Sequence, residues 1–403
     1  MAAPGDWADR FVVADAGLVY LDGNSLGRLP RDAADLADHL VRRQWGERLI
    51  RGWNDGWFDL PLRLGDKVAD LIGARPGEVA MADSTTVNLH RLATAAMAVR
   101  PGRRVIVTDD LNFPSDRHAL AAVASQTGAE VRVVASDGIH GPVEGLVAAL
   151  DDGVALLSLS ATAYRSGYTY DLAPLTAAAH EVGALALWDL SHTAGSVPTD
   201  LAGAEVDLAV GCSYKYLNGG PGAPAWLFVG RDLQADLGNP HQGWMGHADV
   251  FSFSPEYEPA DGIRRFLTGT PPVVSLALIE PGVDLLLEVG MDEVRRLSLQ
   301  LTDHLLDRFD ADLAPRGFGL ASPRDPAVRG GHLTLSHPSA LALDLALIDR
   351  GVIPDFRPPD GIRLGPVALY TTIDEVDRAV DTLVDLVDTG GFAAVEGAEV
   401  VVT

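Results

Sequence analysis

The chain has 403 residues, is 47% hydrophobic and carries a formal net charge of −25. That is enough apolar material for a large core spread over about two to three domains. The acidic balance excludes a nucleic-acid backbone or an anionic membrane surface as the natural partner, because both demand a basic footprint.

The opening residues, Met1-Ala2-Ala3-Pro4-Gly5-Asp6-Trp7, hold neither the basic stretch nor the apolar core of a signal peptide. No later apolar run approaches the length of a bilayer span, so the expected location is the cytoplasm. The single cysteine, Cys212, allows no internal disulfide and no cysteine metal cluster, which suits a reducing compartment. The histidines show no paired ligand spacing, and no metal is expected.

From about residue 62 to 230, short runs rich in Val, Leu and Ala alternate with stretches of helical period. Strands are predicted at 104–107, 131–134, 154–158, 184–188, 207–210 and 226–229. Helices are predicted at about 62–73, 85–98, 116–127, 142–150 and 172–182. This alternation implies an α/β fold with a mostly parallel sheet covered on both faces. The segment from Gly238 to Pro272 is rich in Gly, Pro and aromatics and too long for a simple connector, which marks it as functional. Beyond residue 275 two long helical stretches precede a strand at Leu333-Thr334-Leu335 and a helix near 340–350. Strands near 352–357 and 362–364 and a helix from about 373 follow, a smaller α+β texture that ends in a loose tail. The resulting division is an N-terminal segment, 1–50, joining the small domain, a large domain over 51–274, and a small domain over 275–403.

Arginine has displaced lysine almost everywhere: of 31 basic residues only Lys67 and Lys215 are lysines. A guanidinium stays protonated, whereas an amine can lose its proton and condense with a carbonyl. Lys67 fits an exposed helix face. Lys215, in Gly211-Cys212-Ser213-Tyr214-Lys215-Tyr216-Leu217-Asn218-Gly219-Gly220, therefore reads as an amine nucleophile. Asp189 and His192, in Trp188-Asp189-Leu190-Ser191-His192, close an earlier strand at its carboxyl end, where open α/β sheets bind ligands. An acid and then a lysine in that order suit pyridoxal 5′-phosphate: Asp189 pairs with the pyridinium nitrogen and Lys215 holds the aldehyde. Ser84, Thr85 and Thr86 open a helix, whose free N–H groups and hydroxyls form a phosphate cradle. Phe113, in Phe113-Pro114-Ser115-Asp116, offers an aromatic face to a flat ring.

Together these residues resemble kynureninase, within the fold type I, aminotransferase class V-like enzymes. The resemblance runs in order through Leu21-Asp22-Gly23-Asn24-Ser25-Leu26-Gly27, Gln44-Trp45-Gly46, Thr86-Val87-Asn88-Leu89, Phe113-Pro114-Ser115-Asp116 and Tyr164-Arg165-Ser166-Gly167. It continues through the Asp189 and Lys215 blocks, Gly243-Trp244-Met245-Gly246-His247, Gly269-Thr270-Pro271-Pro272 and Gly361-Ile362-Arg363-Leu364-Gly365-Pro366.

The resemblance implies a large, mostly parallel seven-stranded-type sheet domain with a smaller α+β domain, and cofactor contacts at Thr85, Thr86, Phe113, Ser160, Asp189, His192, Tyr214 and Lys215. It implies that Trp244 and Thr270 reach the phosphate from the neighbouring subunit of a homodimer, and that Arg363, Asn24, Ser25 and Trp45 bind substrate. Arg363 grips the α-carboxylate. The implied reaction is hydrolysis of the Cβ–Cγ bond of L-kynurenine, or its 3-hydroxy form, to anthranilate and L-alanine, a step of tryptophan catabolism that also serves NAD biosynthesis. Lys215 moves the α-proton and Tyr214 protonates Cβ.

One feature departs from the family pattern: many bacterial members place a His-Val pair ahead of Tyr-Arg-[Ser/Thr]-Gly, where this chain reads Ala161-Thr162-Ala163. One pocket wall is expected to differ. Another class V-type lyase or an aminotransferase is the alternative reading.

Overall fold

The structure is a computed structural model that describes residues 2–393 apart from 14 and 16. Residues 19–53 contribute a short strand β1 (Val19–Tyr20) and helix α1 (Arg31–His39), which widens into a π-type helix over Leu40–Arg48 and tightens to a 3-10 turn over Leu49–Trp53. The main alternation follows: α2 (Leu60–Leu71), β2 (Val79–Met81), α3 (Thr85–Ala98), β3 (Val105–Asp109), α4 (Pro114–Thr127) and β4 (Glu130–Val134). After these come α5 (Val143–Ala149), β5 (Val154–Ser160), α6 (Leu172–Glu181), β6 (Leu185–Asp189), β7 (Leu208–Gly211) and β8 (Trp226–Val229).

These strands form a seven-stranded sheet ordered β2-β8-β7-β6-β5-β3-β4. Its pairings are parallel except for those of β8, which runs antiparallel to both β7 and β2. β5 and β6 are buried along their whole length, which is why they read as continuous apolar runs rather than alternating ones. Val105 and Val107 face one core and Ile106, between them, faces the other, so a single strand serves both layers of helices. Truncating a fully buried Leu such as Leu156 is expected to cost about 2–5 kcal/mol.

The C-terminal part comprises α7 (Val273–Ala277), α8 (Glu280–Val289), α9 (Met291–Arg308), β9 (Gly319–Leu320), β10 (Leu333–Ser336) and α10 (Ala340–Asp349). It ends with β11 (Val352–Ile353), β12 (Asp355–Arg357), β13 (Gly361–Leu364) and α11 (Ile373–Thr389), the last opened by a capping box between Thr372 and Glu375. A four-stranded antiparallel sheet, β12-β13-β10-β9, is covered by α9, α10 and α11. β1 pairs in parallel with β11, and Val19 and Leu21 lie in the same apolar cluster as Leu301, Leu343 and Leu383. The chain's beginning is thus built into the core of its end. The C-terminal tail expected from the sequence lies outside the described residues.

The segment 238–272 holds only short 3-10 turns, over Trp244–Gly246 and Gly262–Phe266. Trp244 packs edge-on against Trp53 at 6.1 Å, and Phe251 stacks on Phe58 at 5.9 Å. Phe253, 83% exposed, and the half-exposed Trp244 leave an aromatic surface open beside the 40–53 turns. Among the described residues no helix is long and apolar enough to cross a membrane.

Candidate active site

The carboxyl ends of β3, β5, β6 and β7 deliver side chains to one cavity of about 240 Å³. The N-terminus of α3 and the edge formed by β12 and β13 close it. Its lining includes Thr85, Thr86, Phe113, Ser160, Asp189, His192, Tyr214 and Lys215 from the large sheet, and Ser25 and Arg363 from elsewhere. Ten of the fourteen site residues read from the sequence therefore share one cavity.

Lys215 sits in the turn after β7, whose path is fixed by Asn218 in the left-handed region (φ 55°). The Asn218 amide bonds the Tyr216 carbonyl at 2.8 Å, a local bond that suits asparagine to that conformation. Gly27 packs onto the same turn: its N–H donates to the Tyr214 carbonyl at 2.8 Å, and a Cβ there would overlap the Lys215 carbonyl. The Lys215 Nζ lies 2.8 Å from His192 Nε2 and 6.0 Å from the Phe113 ring centre. Burial pushes the Lys215 amine below its ordinary value, and burial beside Lys215 pushes His192 well down. Both nitrogens are therefore biased towards their uncharged forms.

Asp189 receives two hydrogen bonds at Oδ1, from the Ser191 N–H at 2.8 Å and the Ser191 hydroxyl at 2.6 Å. Asp116 lies beside it. Burial, then the neighbouring charge of Asp189, hold the Asp116 carboxyl well above the usual range. At the opposite wall Ser84 caps α3 by accepting from the Val87 N–H at 3.4 Å, and Thr86 bonds the Ser115 hydroxyl at 2.7 Å. This helix start presents free N–H groups and hydroxyls, the natural partners of a phosphate. Ser160 is held by donation to the Asn112 side chain at 2.7 Å.

A pyridoxal phosphate fits this donor set. The cavity offers an amine that burial pushes down, a helix N-terminus with hydroxyls, and a carboxyl pair whose Asp116 Oδ2 is buried without a partner. His192 Nδ1 is likewise buried and unpartnered.

The chain matches proteins named kynureninase along nearly its whole length. It is 44% identical over 384 residues to the kynureninase of Pseudomonas fluorescens, covering 94% of this chain and 91% of the relative. It is also 44% identical over 388 residues to that of Burkholderia pseudomallei strain 1106a, covering 95% and 92%. The chain belongs to the kynureninase family. The family model for the kynureninase C-terminal domain matches residues 294–383. Among solved structures the fold resembles a cysteine desulfurase from Thermococcus onnurineus, with a TM-score of 0.84, 17% identity and coverage of 96% and 99% of the two chains. The Escherichia coli cysteine desulfurase CsdA gives a TM-score of 0.81 at 19% identity, with the same coverage. At such identities the likeness is one of fold: this kynureninase-family chain has the fold type I architecture.

Four residues read from the sequence stand outside the cavity lining. Asn24 is fully buried behind it against Arg363, and a Cβ on Gly365 would overlap its amide. Trp45 is 60% exposed on the π-type helix. Trp244 and Thr270 are on the surface. Arg165, from the Tyr164-Arg165-Ser166-Gly167 stretch, is exposed and lies 4.0 Å from Asp360. Asp116, Tyr164, Ser191 and Arg357 line the cavity without having been singled out. Asp116 was visible as an acid in the first turn of a helix; for Arg357 the sequence holds no comparable signal.

Proposed function

We propose that this kynureninase-family enzyme hydrolyses the Cβ–Cγ bond of L-kynurenine, giving anthranilate and L-alanine, with pyridoxal phosphate held in the described cavity. The observation that carries this reading is the convergence of Lys215, the Asp116–Asp189 pair and Arg363 on one cavity in a chain of this family.

Bound there, the cofactor supplies an electron sink conjugated to the substrate α-carbon. Lys215 would hold its aldehyde and serve as the base for the substrate α-proton, a task favoured by the burial that lowers its amine pKa. Asp189, oriented by Ser191 and backed by Asp116, whose carboxyl is held well above the usual range, would pair with the ring nitrogen. Thr85, Thr86 and the start of α3 would hold the phosphate, with Phe113, His192 and Ser160 as further contacts to the cofactor. Arg363 grips the substrate carboxylate, with Asn24 and Ser25 beside it. Tyr214, whose hydroxyl burial pushes above its ordinary value, stays protonated at neutral pH and delivers its proton to Cβ.

The exposed Trp244 and Thr270 act in the cavity of a second subunit, so the working form is a homodimer. Trp45 sits at the same subunit boundary and favours kynurenine over its 3-hydroxy form. The chain divides at about residues 50 and 274, and the enzyme works in the cytoplasm. Sulfur chemistry of the desulfurase kind has no support, because Cys212 is buried and burial raises its thiol.

Incubation with L-kynurenine should release anthranilate fluorescence, with 3-hydroxykynurenine run in parallel. Amino transfer to a keto acid without anthranilate would replace this reading with an aminotransferase.

A further inference from the structure

The arginine assigned to the substrate carboxylate is more crowded than a simple grip requires. Arg363 is 1% exposed and has five N–H donors. Nε donates to Asn24 at 2.8 Å when the amide oxygen is turned towards it, Nη1 donates to the Tyr164 carbonyl at 2.7 Å, and Nη2 donates to the Ser25 hydroxyl at 2.6 Å and to Asp355. The same Asp355 oxygen pairs with Arg357 at 2.6 Å, and Arg357 lines the cavity. Asp355 thus bridges two guanidinium groups, one at the cavity wall and one behind it.

Two further carboxyls stand behind this bridge. Asp22 Oδ1 lies 3.8 Å from Arg363 Nη2 and has no hydrogen-bond partner. Asp344, on α10, is fully buried and both its oxygens lack partners. Asp22 has only the Ser25 hydroxyl as a donor and Asp344 has none; a buried carboxylate short of donors is costly, whereas a protonated carboxyl is tolerated. With both neutral, two guanidinium groups face one carboxylate; with both ionised, three carboxylates face two guanidinium groups and the pocket turns net negative.

Resting on Arg363 as the carboxylate grip, we propose that Asp22 and Asp344 are positioning residues that must hold protons for the Asp355–Arg357–Arg363 bridge to accept a substrate carboxylate. Ionisation of the two acids reverses the charge of the grip and expels the ligand.

The neighbouring groups leave these acids as the switch. Burial, then the charge of Asp355, raises each to about 7. Tyr20, beside Asp22 and Arg28, is pushed above its ordinary value, and Tyr216, near Arg363, is pushed up to about 12, so both hydroxyls stay neutral. His192 and His332 on the cavity side are pushed well below the usual range and stay uncharged. Lys215 also faces Arg363, but it is common to every variant compared below.

The test uses the full-length holoenzyme and 3-benzoylpropionate, an aryl keto acid that has the carboxylate but no amine to condense with the cofactor. Its affinity is measured by calorimetry at about pH 6 and about pH 8.5, in two buffers of different ionisation heat. The expected result is a Kd that rises at least about tenfold across that interval, with net proton uptake on binding near pH 7. Asp22→Asn and Asp344→Asn should each shrink both the rise and the uptake, and the double variant should flatten them. A wild type that binds without proton uptake and with a flat Kd would overturn the proposal, and so would a pH dependence that persists unchanged in the double variant. The wild-type measurement stands even if a variant fails to fold. Anthranilate release from kynurenine alongside a flat Kd would sink this inference alone; proton-linked binding without anthranilate release would sink the proposed reaction and leave the grip intact.

Discussion

The cavity has two halves built on different principles. The half that faces the cofactor comes from one sheet, whose successive strands β3, β5, β6 and β7 end side by side and drop their functional residues within a few positions of each end. Its polar groups are tied within or between neighbouring strand ends: Ser191 orients Asp189 from two residues away, Ser160 donates to Asn112 and Thr86 bonds Ser115. The half we assign to the substrate carboxylate is assembled from residues 22–25, Tyr164 and 355–363, brought together by the β1–β11 pairing and the small sheet. There the bonds span the chain, and charges of both signs are packed against one another. A sheet end makes a preorganised cradle from the ends of adjacent strands, whereas a seam between segments makes a tunable electrostatic site from distant ones.

The sharpest break is aimed at the first half. Lys215→Arg keeps the charge but removes the amine, and should lower turnover by at least about a thousandfold. Borohydride reduction of the wild type should leave the cofactor on Lys215; label on Lys67 would overturn the site. Lys67 is half-buried and paired with Asp284 at 2.6 Å and Glu280 at 2.9 Å. In the second half, Arg363→Ala should cost about 1.5–3 kcal/mol, roughly ten- to a hundredfold in kcat/KM, with cofactor absorbance unchanged. Unchanged kcat/KM would move the grip to Arg357, the other guanidinium on the cavity wall.

This contrast also explains what could be read from the sequence. The six strands predicted in the sheet region all formed within a residue or two, because most of them, such as β5 and β6, are buried apolar runs, and Ser160 and Asp189 close those two strands. The three-residue β2 was too short to register, and the π-type helix over Leu40–Arg48 has no clean apolar period. Asp355 and Arg357 escaped notice because their meaning lies in a pairing with Arg363 across β12 and β13, which no local pattern encodes. Asp344 sits in a helix that is apolar almost all round, where an acid reads as a surface residue.

Trp45 tests whether the seam extends to a second subunit. It is exposed in one chain and outside that chain's cavity, so any contact with substrate requires a partner or a closure of the 40–53 turns. An indole gives the hydroxyl of 3-hydroxykynurenine an apolar wall, and burying an unpaired hydroxyl costs about 1–3 kcal/mol. Wild type should prefer kynurenine, and Trp45→His should shift the ratio of kcat/KM values about tenfold towards the hydroxylated substrate. A ratio that stays put would direct attention to the Ala161-Thr162-Ala163 wall.

The smallest effect concerns stability and isolates the charged seam from catalysis. Burial, then Asp355 and Asp22, raises the Asp344 carboxyl from 3.8 to about 7. The folded chain therefore holds this proton more tightly than the unfolded chain. The stability linked to it is fully present below about pH 4 and is lost as the pH rises through about 7. An asparagine at 344 has nearly the same shape and does not titrate, so it escapes that loss. The Tm of Asp344→Asn relative to wild type should therefore be more favourable at about pH 8.5 than at about pH 5, by about 1–3 °C. Thermal unfolding followed by circular dichroism across this range decides the matter: parallel wild-type and variant curves would mean that Asp344 gives up its proton as readily in the fold as in the unfolded chain, and the seam would lose one of its two proton stores.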